Sequence, residues 1–336
     1  MKELNLDLLK ALYCVFSPSN GEKKMRRFIK RHIKNNIPTA IVTQDVHGNL
    51  FVTKGEAESY PCLCAHMDQV QDLHPTDFVC IEDQGVIFGY SPKLHKQCGL
   101  GADDKNGIFI ALQCLERYDV LKCAFFVGEE IGCVGSHAAD IEFFADCRFC
   151  AQIDRRGNSD MVTSISFGNI CSDEFVTAAD CETYGYAVST GLMTDVEALR
   201  DNGVTASCIN MSCGYYEPHT DHEFTVLKDV KKCHAFVCHL IEHCTSVYAH
   251  KEDDYEYNSN SSEWRRSEWE NDEWNRYDYC DFYDECLEYC SNWLRDDPQL
   301  SLDEFIDAAQ MYFPFSKSGF AEIFENASDY VKSEIV

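Results

Sequence analysis

The chain has 336 residues, 57 acidic against 29 basic, and a formal net charge of −28. So acidic a protein repels a phosphate backbone, which argues against nucleic-acid binding. There is no N-terminal apolar signal run and no apolar stretch long enough to span a bilayer, so the expectation is a soluble, cytoplasmic protein with no membrane partner. Its 20 cysteines are scattered through apolar runs, as small buried hydrophobes are, and that usage fits a reducing compartment.

In chain order, an amphipathic run over 4–16 predicts a helix. Ser17-Pro18-Ser19-Asn20-Gly21-Glu22 separates it from a basic helix over 23–35. Residues 40–45 and 50–53 flank His47-Gly48-Asn49 and read as a hairpin. The run Pro61-Cys62-Leu63-Cys64-Ala65 predicts a strand that ends at His66-Met67-Asp68. Gly101-Ala102-Asp103-Asp104-Lys105 then leads into a helix over 104–118. A second apolar strand, Cys123-Ala124-Phe125-Phe126-Val127, precedes Glu129-Glu130, and a third, Phe149-Cys150-Ala151-Gln152-Ile153, precedes Asp154. Further helices are expected over 173–180 and 227–245, with His219 between them. This alternation predicts an α/β domain over 1–248: a three-layer sandwich whose mainly parallel sheet is covered by helices on both faces. In such sheets the carboxyl ends of the strands form the ligand crevice, so the five acidic and histidine motifs are expected to converge there.

Two divalent metal ions fit that inventory. A pair of zinc ions about 3.5–4 Å apart needs nitrogen and oxygen ligands, a bridging carboxylate and an open edge for water and substrate. His66, Glu130, Asp154 and His219 can supply terminal ligands, and Asp103 the bridge. Asp68, two residues beyond His66, falls on the same side of an extended chain and can orient the imidazole. Glu129 is left as the general base, because adjacent residues of an extended segment face opposite ways. Zinc suits the ligand types, and cobalt or manganese is also compatible with so many carboxylates.

The pattern resembles the co-catalytic dizinc exopeptidases, the superfamily of peptidase T, the glutamyl and deblocking aminopeptidases and the carboxypeptidase G-type amidohydrolases. Ala65-His66-Met67-Asp68 looks like its first ligand motif and Gly101-Ala102-Asp103-Asp104-Lys105-Asn106-Gly107 like its bridging-aspartate motif. Gly128-Glu129-Glu130-Ile131-Gly132 looks like its base-and-ligand motif, and Gly214-Tyr215-Tyr216-Glu217-Pro218-His219 like its final histidine motif. The resemblance implies His66 and Asp154 on one ion, Glu130 and His219 on the other, Asp103 bridging, Glu129 as base and Asp68 as orienter. It also implies a metallo-exopeptidase, an aminopeptidase acting on short peptides. The alternatives are an amidohydrolase or carboxypeptidase acting on acylated amino acids, and a catalytically silent homologue whose tail recruits a partner.

The spacing also bears on architecture. The lid that one branch inserts between the fourth and fifth ligands does not fit the roughly 65 residues from Asp154 to His219. The extra barrel of another branch does not fit the roughly 35 residues from Asp68 to Asp103. A lidless catalytic domain is therefore expected. In the resembled enzymes an acidic residue placed like Asp195 lies beside the substrate, which makes Asp195 a candidate for the substrate's amino group; the other reading is a helix cap. Arg155 and Arg156 are candidates for a peptide carboxylate or for ordinary ion pairs. Cys147-Arg148-Phe149-Cys150 lacks a second pair at zinc-ribbon spacing and is assigned no metal or redox role.

Composition shifts near residue 250. Residues 251–336 carry 23 acidic against 7 basic side chains and all four tryptophans. The expectation is an acidic, aromatic-rich linker or appendage over 249–298, then a helical region over 299–336 with helices at 300–312 and 320–331. A protein partner for this acidic part is the accompanying possibility.

Overall fold

In this computed structural model, residues 4–71, 73–165 and 168–250 are described, and in the C-terminal part 286–287, 289–291, 293–295, 300–309 and 317–334. The chain divides into two compact units, Met1–Glu252 and Asp253–Val336.

The first unit opens with α1 (Leu6–Tyr13), whose Asn5 side chain accepts from Leu8 N and caps the helix. In α2 (Lys23–Asn36) only Met25, Ile29 and Ile33 are buried, one apolar stripe at helical spacing, and its basic side chains face away from the core. The hairpin β1 (Ile41–Gln44) and β2 (Leu50–Lys54) turns on Asp45, whose Oδ1 accepts from Gly48 N at 2.7 Å and Asn49 N at 2.8 Å. Next come β3 (Tyr60–His66), β4 (Val79–Asp83), β5 (Val86–Ser91), β6 (Lys96–Cys98), α3 (Ala102–Arg117), β7 (Leu121–Phe126), α4 (Val134–His137) and β8 (Cys147–Arg155). The remainder is β9 (Asp160–Ile165), β10 (Gly168–Asn169), α5 (Asp173–Ala179), β11 (Ala187–Gly191), α6 (Asp195–Asp201), β12 (Cys208–Ser212), β13 (Tyr215–Tyr216), β14 (Phe224–Val226) and α7 (Leu227–His243).

A nine-stranded sheet runs in the order β1-β2-β7-β3-β8-β12-β9-β10, with β11 beside β9. Its centre, β7-β3-β8-β12, is parallel, and antiparallel strands flank it on both sides. Strand β3 is buried along its whole length. Period-two alternation shares such strands between two cores. Leu63, Ala65, Cys123, Phe125, Phe149 and Ala151 pack under α1, α2, α3, α5 and α7, whereas Cys62, Cys64, Ala124, Phe126 and Cys150 pack on the α6 side. This is the expected α/β architecture with helices on both faces.

Sequence patterning missed a second, antiparallel sheet of five strands, β13-β14-β5-β4 with β6 beside β5. It takes up the stretch between His66-Met67-Asp68 and α3 and returns after β12. Nearly all the described cysteines are buried, the exceptions being Cys14 and the half-buried Cys80, and every one is unpaired. No helix among the described residues is long and apolar enough to cross a membrane.

In the second unit, Ser301 and Glu304 form a reciprocal capping box at the start of α8 (Leu302–Ala309): Ser301 Oγ accepts from Glu304 N at 3.3 Å and Glu304 Oε2 accepts from Ser301 N at 3.0 Å. Phe305 of α8 meets Phe320 of α9 (Lys317–Glu334) edge-on at 5.8 Å. Both helices were expected, at 300–312 and 320–331, and every observed boundary lies within three residues of those. The linker-like Asn258-Ser259-Asn260-Ser261-Ser262 and Trp264, Trp269 and Trp274 lie outside the described residues.

Candidate metal centre

Each expected ligand sits at the carboxyl end of the parallel strands or on a loop beside it. His66 is the last residue of β3 and Asp154 the penultimate residue of β8. Glu129 and Glu130 follow β7, Asp103 opens α3, and His219 lies between β13 and β14. Gly107 lets α3 approach closely: a Cβ there would collide with the Asp104 carboxylate and the Ile153 carbonyl, so the absent side chain brings Asp103 up to Asp154.

The side chains converge in two groups that share Asp103. One ligand atom each from His66, Asp103 and Asp154 lie within 4.8 Å of one another, and so do one each from Asp103, Glu130 and His219. His66 Nε2 is 3.0 Å from Asp103 Oδ1 and 3.6 Å from Asp154 Oδ1. His219 Nε2 is 3.3 Å from the other oxygen of Asp103 and 3.1 Å from Glu130 Oε2. A carboxylate presenting one oxygen to each group has the geometry of a bridge.

Electrostatics explain why these groups suit a cation. Burial pushes the Glu130 carboxyl up to about 7 against the pull of His219. Burial and the charge of Asp103 push Asp154 up to about 6. Burial also opposes ionisation of Asp103, but bonds from His219 and His66 outweigh it and hold that carboxyl below its usual range. Two imidazoles thus face more buried carboxylates than they can neutralise, and Glu130 Oε1 has no hydrogen-bond partner. A buried carboxylate oxygen without a donor costs on the order of 1–3 kcal/mol or more unless a cation takes it. The nitrogen and oxygen donors therefore fit divalent metal ions.

Asp68 lies beside His66. Its Oδ1 is 3.4 Å from His66 Nδ1, within range of its charge but without hydrogen-bond alignment. It also accepts from Ser19 Oγ at 2.8 Å, Glu129 N at 3.1 Å and Glu130 N at 3.3 Å, tying the end of β3 to the glutamate pair. That pair is in a turn rather than an extended segment, since Gly132 N and Cys133 N both donate to Glu129 O at 2.9 Å. Glu129 is raised well above its usual range, first by burial and then by Asp154, Asp195 and Glu130, against the opposing charge of His66.

Asp195 occupies a different position from the one expected of a residue that meets a substrate amine. It has no exposed surface, and its oxygens accept from Ser136 Oγ at 2.6 Å and Gln152 Nε2 at 3.1 Å. It opens α6 behind Asp154, and the N-cap position belongs to Thr194. Arg155 pairs with Asp160 through Nε at 2.8 Å.

Sequence reasoning missed the residues that hold the ligands. Gln152 Nε2 donates to Asp154 Oδ2 at 2.9 Å and Tyr215 OH to Asp154 Oδ1 at 3.2 Å. Glu223, fully buried, accepts from Gly101 N at 2.5 Å and Asp103 N at 3.0 Å and so fixes the loop that carries the shared carboxylate. Asp104 accepts from His66 N at 3.2 Å and Gly107 N at 3.0 Å, and joins β3 to α3. Gln152 did carry a signal: it is a polar residue inside an apolar strand, two positions before Asp154 and hence on the same face.

No protein-family model and no curated protein matches this chain. Solved structures do. Aminopeptidase PepT from Bacillus cereus aligns with a TM-score of 0.59 at 16% identity, covering 71% of this chain and 97% of the other. A tripeptidase from Staphylococcus aureus aligns at 0.56 and 15%, over 70% and 96%. A TET aminopeptidase from a thaumarchaeote aligns at 0.53 and 14%, over 70% and 96%. This chain shares the fold of those peptidases.

Proposed function

We propose that this protein is a metal-dependent exopeptidase of the co-catalytic dizinc class, an aminopeptidase that hydrolyses short peptides. The observation that carries the proposal is the pair of His–carboxylate groups sharing Asp103, with the Glu129 carboxylate outside both groups. The fold shared with an aminopeptidase and a tripeptidase supports it. His66 and Asp154 would hold one ion, Glu130 and His219 the other, with Asp103 between them. Bound there, two divalent ions would polarise the scissile carbonyl and make water nucleophilic near neutral pH.

The remaining chemistry falls to the chain itself. Glu129 takes a proton from the attacking water at its carboxylate and returns it to the leaving amine. Burial raises its proton affinity, which suits a group that must hold that proton between the two steps. Asp68 keeps His66 oriented through Nδ1 while its other contacts set the Glu129-Glu130 turn. Gln152 and Tyr215 hold Asp154, with Asp195 and Ser136 behind them as support.

Unblocked and N-acetylated tetrapeptides incubated with the protein and added zinc, cobalt or manganese, then analysed by mass spectrometry, test this reading. Stepwise loss of the first residue from unblocked peptides alone is expected. Loss from the carboxyl end or deacylation would replace it with the amidohydrolase reading, and no cleavage with any metal would reject an enzymatic role.

A further inference from the structure

Away from the strand ends, the α6-side core contains a concentration of thiols. A Cys-x-x-Cys on a regular strand points its two side chains to opposite faces, because three residues are an odd number of pleats. Here the β3–β8 register is interrupted: Tyr60 pairs with Cys147 but Pro61 pairs with Phe149, so Arg148 is an extra, bulged residue. The bulge restores parity. Cys147 and Cys150 both belong to the α6-side core, whereas Phe149 between them belongs to the other.

Neighbouring strands deliver two more thiols to the same face. Cys150 pairs with Cys62 on β3 and with Cys208 on β12. The sulfurs of Cys62, Cys147 and Cys150 lie within 4.8 Å of one another, all buried, and Cys208, also buried, stands opposite Cys150 on the next strand. Lys122 Nζ, held by Phe143 O at 2.7 Å and ion-paired with Asp146, lies beside Cys147. Three or four convergent sulfurs make a soft, closed donor set quite unlike the nitrogen and oxygen donors of His66 and its partners.

We propose that Cys62, Cys147 and Cys150 form a structural binding site for one thiophilic d10 metal ion, separate from the His66 and His219 groups. Copper(I) would take the three thiolates, and zinc would add Cys208 as a fourth. Binding exchanges the S–H protons of the ligating cysteines for the cation and changes no oxidation state. Either complex carries a net charge of −2, and the cation beside it, Lys122, is shared with Asp146. The ion would clamp β3, β8 and β12 below the strand ends that carry His66 and Asp154.

The test is to produce the full chain in medium supplemented with zinc, copper or cadmium and to measure metal content, thiolate-to-metal charge-transfer absorption and X-ray absorption at the metal edge. The expected result is a charge-transfer band and sulfur neighbours, at about 2.3 Å for zinc, that the His66 and His219 groups cannot produce because they contain no sulfur. Cys62→Ala and Cys150→Ala should abolish the band while Cys171→Ala keeps it, and the metal recovered distinguishes copper from zinc. If the cysteine variants fail to fold, the wild-type absorption edge still decides, because a shell of three or four sulfurs exceeds the two that Cys114 and Cys238 could supply beside His234. A shell of nitrogen and oxygen only, or a band that survives both cluster substitutions, would overturn the proposal.

Discussion

The two halves of the candidate metal centre are built differently. The His66–Asp154 half stands on adjacent parallel strands, with His66 1% exposed and the Asp154 carboxylate held by Gln152 and Tyr215. The Glu130–His219 half stands on loops. His219 has a positive φ of 62° and a side chain 28% exposed, between two short strands of the antiparallel sheet. Strands fix a ligand by packing, whereas loops leave one edge open, and an enzyme that admits a peptide end needs both. The first half therefore should couple tightly to folding and the second chiefly to metal and substrate.

The largest effect separates chemistry from both halves. Glu129→Gln should retain metal content while peptide hydrolysis falls by about 10²–10⁴-fold, the usual contribution of a general base. Wild-type turnover in that variant would remove Glu129 from the mechanism.

His66→Ala and His219→Ala set the halves against each other. Losing His66 leaves Asp154 buried with no imidazole beside it and Asp103 with His219 alone, so metal-free protein should lose on the order of 3–5 kcal/mol in denaturant unfolding. Losing the more exposed His219 should cost about 1 kcal/mol or less by the same measurement, yet elemental analysis should find metal depleted in both. Equal stability losses would mean that the strand-built half is no more integral to the fold than the loop-built one.

A smaller effect is expected at Asp68→Asn, which keeps the size of the side chain but removes the charge facing His66 Nδ1. Metal affinity or activity should fall about 10–100-fold, read by competition with a chromophoric chelator. An unchanged affinity would leave Asp68 with only its contacts to Ser19 and the glutamate turn.

The same contrast explains what the sequence could disclose. His66, Glu129, Glu130 and Asp154 end apolar runs long enough to be recognised as buried parallel strands, and the two-core alternation of β3, β7 and β8 follows from those runs. Strands β13 and β14 span only Tyr215–Tyr216 and Phe224–Val226, and β4 is largely exposed, so no periodicity betrays the second sheet. Glu223 was visible as a residue but its role was not, because its partners at Gly101 and Asp103 lie 122 and 120 residues away. Asp195 illustrates the converse: its place in the motif order suggested substrate, and its burial with bonds to Ser136 and Gln152 could not be read from that order. Arg148 could not be recognised as a bulge, since a register shift depends on the partner strand β3 and not on the local pattern.

The most direct test of the central claim is a crystal structure of the zinc-loaded protein with anomalous data at the zinc edge. Around Asp103 the account predicts two peaks about 3.5–4 Å apart, flanked by His66 and Asp154 on one side and Glu130 and His219 on the other, distinct from any peak at the cysteine cluster. A single peak, or none within reach of Asp103, would contradict it.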